Sequence, residues 1–164
     1  MTPTKGSLVP FNKPFVAAGA AENALAALGS GHQSGDGPWT SRATQKLAAL
    51  TGHPGVMLTT SGTHALEMAC MALDLRPGDE VVVPSFTFSS TATAPWRTGA
   101  TVRFADVDPE TLSLTPETVD PVIGANTRAV IVVHYAGISD RPDELAAFLA
   151  ERGIALIEDN AHGI

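Results

Sequence analysis

Arg128-Ala129-Val130-Ile131-Val132-Val133 decides the fold. It is almost wholly apolar and rich in β-branched residues, and it lacks the polar alternation of a half-exposed strand. Such a run reads as a strand covered on both faces. Working outward, Glu80-Val81-Val82-Val83, ended by Pro84, is a second strand of the same kind. Thr101 to Phe104 and Ile154 to Ile157 are two more, and Val56-Met57-Leu58 reads as a further short one. Helical stretches lie between them. Val16 to Leu28 is Ala-rich and stops at Gly29. A second begins at a cap on Thr40 or Ser41 and runs to about Leu50. His64 to Leu73 is apolar almost all round. Phe88 to Trp96 reads as helical despite its threonines and Pro95. Pro116 to Ile123 is a short helix, and Pro142 to Glu151 is closed by Gly153. Arg76-Pro77-Gly78-Asp79 is a turn.

Non-alternating strands separated by helices predict an α/β fold, a mostly parallel sheet with helices on both faces. The sequence stops at Ile164, just past a strand, where such a sheet ordinarily continues into a helix. The fold is therefore expected to be truncated. At the other end, Pro3, Pro10 and Pro14 punctuate an extended arm. Residues 29–38 hold four glycines and a proline, which reads as an irregular loop.

Composition narrows the function. The 164 residues are 44% apolar and 16% charged, enough for a globular core. The net charge is −7, and Lys5, Lys13 and Lys46 are the three lysines. Without a basic cluster, nucleic acid and anionic membrane are poor partners. Cys70, the single cysteine, can form no intrachain disulfide and sits in an apolar stretch, as a packing residue does. No signal peptide and no membrane-length apolar run is evident, so a cytoplasmic protein is expected. The histidines are scattered, with no metal-ligand spacing. The fingerprints of dinucleotide folds, P-loops and nucleophile elbows are missing.

Open α/β sheets bind ligands beyond the carboxyl ends of their strands. Three segments there carry suggestive residues. Thr59-Thr60-Ser61-Gly62-Thr63 precedes a helix, whose free N–H groups attract a phosphate that Gly62 lets approach; Ser61 or Thr63 could instead be a simple cap. Phe86 and Phe88, after Pro84, can stack on a flat ring or fill a core. Asp159 and His162, in Ile157-Glu158-Asp159-Asn160-Ala161-His162, can serve a protonated heterocycle. They can equally be a helix cap and a core histidine. His134 follows a strand, but a lone histidine there does not define a site.

Taken together and in this order, the segments resemble the sugar aminotransferase family of fold-type I pyridoxal-phosphate enzymes (the DegT/DnrJ/EryC1/StrS type). The matching stretches are S-G-T-H-A-L-E-M-A, R-P-G-D-E-V-V-V-P-S-F-T-F-S-S-T-A-T-A, G-A-T-V-R-F-A-D-V-D-P-E-T-L, V-V-H-Y-A-G and I-E-D-N-A-H, preceded by P-F-N-K-P and G-S-G-H-Q-S-G-D-G. The likeness is nearest to the branch that makes dTDP-4-amino-4,6-dideoxygalactose. It implies a fold-type I large domain. Residues 1–52 would form the arm, helices and glycine-rich loop, and residues 53–164 the first part of the cofactor-binding domain.

The resemblance also implies roles. Gly62 and Thr63 would hold the phosphate of pyridoxal 5'-phosphate. Phe88 would stack on its ring, Asp159 would pair with its ring nitrogen, and His162 would sit near its 3-hydroxyl. The loop from Gly31 to Gly37 would approach the active site of a partner subunit in a homodimer. The expected partners are a nucleotide-linked 4-keto-6-deoxy sugar and an amino donor, glutamate. Asn160 departs from the family, which usually has a small alanine there. The Schiff-base lysine is expected beyond Ile164, since Lys5, Lys13 and Lys46 match nothing in its motif. These 164 residues alone are therefore expected to be inactive. Two alternatives stand beside transamination: a dehydratase of the same family, with histidine for lysine, and a non-catalytic half-domain.

Overall fold

The computed structural model describes residues 10, 13–139 and 142–163. The first-dozen arm and Lys5 lie almost wholly outside these residues. Four segments pair into one parallel sheet: β1 (Glu80–Pro84), β2 (Thr101–Ala105), β3 (Thr127–Val133) and β4 (Ala155–Asp159), in the order β2-β1-β3-β4. Parallel neighbours need long crossovers, usually helical. Here α4 (Ser89–Arg97) joins β1 to β2, and α6 (Pro142–Ala150) joins β3 to β4. The short α5 (Pro116–Val119) lies between β2 and β3.

The apolar strands divide residue by residue between two cores, as the twofold alternation of strand side chains requires. On one face Val81, Val83, Ala129 and Ile131 meet Leu66 and Cys70 of α3 (Gly62–Ala72) and Ala94 of α4. On the other, Val82, Val130 and Val132 meet Val119 of α5 and Leu145 and Leu149 of α6. Burying each of these valines or isoleucines contributes about 1.5–3 kcal/mol. This double coverage is why the strands lack polar alternation.

The chain divides into two compact units, Met1–Val56 and Met57–Ile164. The first holds α1 (Ala20–Gly29) and α2 (Pro38–Thr51), neither of which buries a residue. The sheet belongs to the second.

Several boundaries differ from the sequence reading. Val56-Met57-Leu58 forms no strand, and Met57 is largely exposed. An apolar run becomes a strand only beside a partner, and among the described residues none pairs with it. The first helix starts at Ala20, not Val16, because Gly19 turns the backbone left-handed at φ 81°. The second starts at Pro38 with Gly37 as cap, so neither Thr40 nor Ser41 caps it. Proline suits the first helical position, where an N–H would go unpaired. The helix from Pro116 ends at Val119, short of Ile123.

Cys70 is fully buried in the α3–α4 core. Burial pushes its thiol from an ordinary 9.0 up to about 11, the Glu67 charge adding to the rise and a backbone hydrogen bond opposing it. Alkylation at pH 8 is therefore expected to be slow until denaturant opens the core. The thiol ionises first in the unfolded chain. Its contribution to stability is thus intact below pH 9 and is lost as pH rises towards about 11. Urea midpoints at pH 8 and 10, compared with those of Cys70→Ala, measure this loss.

Candidate functional site

The three segments singled out by the sequence converge at the carboxyl ends of the strands. They border one cavity of about 470 Å³. Gly62, Thr63, Phe88, Asp159 and His162 all line it, although Gly62 and His162 lie a hundred residues apart in the chain. The glycine-rich loop belongs to the first unit. Within it, Ser34 Oγ bonds His32 Nε2 at 3.2 Å.

The phosphate-like corner is the start of α3. Ser61 is extended, and its Oγ accepts from the His64 N–H at 3.2 Å. It is therefore the cap. Among the described residues no acceptor meets the N–H groups of Gly62 and Thr63, which are open to an anion where the helix dipole also favours negative charge. A Cβ on Gly62 would meet nothing within 4 Å, so its absence leaves open space beside those donors. Thr63 does not cap. Its hydroxyl pairs with Ser90 Oγ at 2.6 Å and ties α3 to α4.

The two phenylalanines part company. Phe86 packs against Tyr135, with ring centroids 4.6 Å apart. Phe88, the cap residue of α4, is 74% exposed. Neither is core. A phenyl ring left open on a cavity wall offers a face to a planar ligand.

Asp159 is the last residue of β4 and caps no helix. Its Oδ2 accepts from Thr91 Oγ1 at 2.8 Å. Thr91 is fully buried and lies 2.7 Å from Thr87 Oγ1, itself on the cavity wall. His162 is exposed rather than a core histidine. Its backbone is reached by the turn at Tyr135–Gly137, where a Cβ on Gly137 would come 2.8 Å from the His162 carbonyl oxygen.

Ser90, Thr91, Tyr135 and the His134–Glu158 pair were not assigned from sequence. His134 is buried. Its Nε2 meets Glu158 Oε2 at 2.7 Å, and its backbone N–H donates to the Asp159 carbonyl at 3.0 Å. Its position closing the clearest strand was the available signal; the hydroxyls carried none. Among the described residues no cluster of three His, Cys, Asp or Glu can hold a metal. No helix there is long and apolar enough to cross a membrane.

Known proteins resemble this chain in sequence and fold. The model of the DegT/DnrJ/EryC1/StrS aminotransferase family matches residues 17–164, through every segment of the cavity. Protein MosB of Rhizobium meliloti is 39% identical over 153 residues, covering 92% of this chain and 30% of MosB. The crystal structure of 3-amino-5-hydroxybenzoic acid synthase superposes with TM-score 0.85 at 35% identity, covering 92% of this chain and 39% of that one. NtdA from Bacillus subtilis, with bound cofactor PMP, gives 0.81 at 26% identity over 96% of this chain and 38% of its own. The chain thus spans between three and four tenths of these relatives' lengths. On this match the chain belongs to the DegT/DnrJ/EryC1/StrS aminotransferase family.

Proposed function

We propose that these residues form the pyridoxal-phosphate cradle of an aminotransferase acting on a nucleotide-linked 4-keto-6-deoxy sugar, with glutamate as amino donor. The dTDP-linked sugar is the first substrate to try, and the working enzyme is a homodimer. One observation carries the reading: a carboxylate, an open aromatic face and a helix start with free N–H groups border one cavity. A planar ring with a phosphate at one end and a protonated nitrogen at the other matches that donor set. Membership of an aminotransferase family supports it independently.

The cofactor, when bound, supplies an electron sink for the charge left as a C–H bond beside nitrogen breaks. The chain's residues do the rest. Gly62 and Thr63 would donate backbone N–H bonds to the cofactor's phosphate, and Phe88 would cover one ring face. Asp159 would pair with the ring nitrogen and favour its protonated form, and His162 would serve the 3-hydroxyl. The lysine that moves the proton is proposed to lie outside these 164 residues.

The full chain, given pyridoxal phosphate, glutamate and a dTDP-4-keto-6-deoxyhexose, is expected to release 2-oxoglutarate in step with an aminated sugar. Mass spectrometry of both products is the check. Sugar consumed without uptake of nitrogen would refute transamination.

A further inference from the structure

Resting on the cofactor reading above, we infer that Thr91 is a positioning residue for Asp159. Its hydroxyl ties down one carboxylate oxygen, so that the other is the one presented to the ring nitrogen. The hydrogen count fixes the direction of the chain. Ionised Asp159 can only accept, so the single Thr91 hydrogen goes to Oδ2 at 2.8 Å. The 2.7 Å contact between Thr87 and Thr91 must then be donated by Thr87. The result is a one-way hydroxyl chain, Thr87 to Thr91 to Asp159, in which each bond polarises the next.

The geometry suits positioning rather than bulk packing. Thr91 is fully buried on α4, while Asp159 sits 68 residues away on β4, so this bond fixes the carboxylate against a different element. Among the described residues Oδ1 of Asp159 has no hydrogen-bond partner, and Asp159 lines the cavity. An aspartate without the Thr91 bond can rotate and share its charge between two oxygens. One with the bond offers Oδ1 in a single orientation.

The test separates orientation from packing by changing the ligand. Pyridoxal phosphate and its 1-deaza analogue, which has carbon in place of the ring nitrogen, are titrated into the full chain. The unaltered protein is expected to prefer pyridoxal phosphate. In Thr91→Val, which keeps the shape and removes the hydroxyl, pyridoxal phosphate is expected to bind about tenfold more weakly. The deaza analogue should be unaffected. Thr91→Ser should restore the preference. If Thr91→Val does not fold, Thr87→Val, read with the same two ligands, should show a smaller selective loss. Equal weakening of both ligands, or an unchanged preference in the variants, would overturn the positioning role and leave Asp159 as the nitrogen's partner. No preference in the unaltered protein would overturn the pairing of Asp159 with the ring as well.

Discussion

Asp159→Asn is expected to lower transamination by the full chain about a hundredfold to a thousandfold, the cost of removing one oriented charge from a reacting centre. The substitution keeps the shape and the acceptor that Thr91 needs, since an amide oxygen can still receive its hydroxyl. What disappears is the negative charge. On the proposed pairing, a neutral amide would no longer favour the protonated ring nitrogen on which the cofactor's role as electron sink depends. The loss should therefore fall on kcat, with a smaller change in the KM for glutamate. Circular dichroism and thermal midpoints should stay near those of the parent, because Asp159 is only partly buried at the end of its strand. Steady-state kinetics at saturating cofactor decide the matter. Near-parental kcat in a variant that binds pyridoxal phosphate would remove Asp159 from the mechanism.

How much of this was legible beforehand follows from what each feature depends on. β1 and β3 are covered on both faces, so their sequences are uniformly apolar and announce themselves. The Val56-Met57-Leu58 run is equally apolar, yet it is not a strand, because hydrophobicity does not name a partner. Gly19 and Pro38 set helix starts by backbone geometry rather than by apolar periodicity, so a periodic reading misplaces both starts. In the site, the cavity-lining residues Gly62, Thr63, Phe88, Asp159 and His162 lie in local motifs. Nothing local singles out the residues that hold them. A threonine hydroxyl looks the same in sequence whether it faces solvent or a carboxylate 68 residues away, and only folding brings Thr91 to Asp159. The same holds for the Thr63–Ser90 pair.

Gly137→Val is expected to destabilise the Tyr135–Gly137 turn by about 2–4 kcal/mol and to weaken cofactor binding with it. Two costs combine at this position. The backbone is left-handed at φ 77°, where a β-branched residue is strained. The new Cβ would also lie 2.8 Å from the carbonyl oxygen of His162 and 3.1 Å from its carbon. Those are backbone atoms, so no rotamer change can relieve the contact. Either the turn moves or the loop carrying His162 does, and both border the cavity. Gly153 separates the two costs. It is also left-handed, at φ 67°, but a Cβ there meets nothing within 4 Å. Gly153→Val should therefore cost the strain alone, about 1–2 kcal/mol, and leave cofactor affinity untouched. Urea unfolding and pyridoxal-phosphate titration of the two variants give four numbers. If both glycines prove equally costly and neither affects binding, the approach of Gly137 to His162 does not shape the site. If only Gly137→Val loses the cofactor, the position of the His162 loop depends on a missing side chain one strand away.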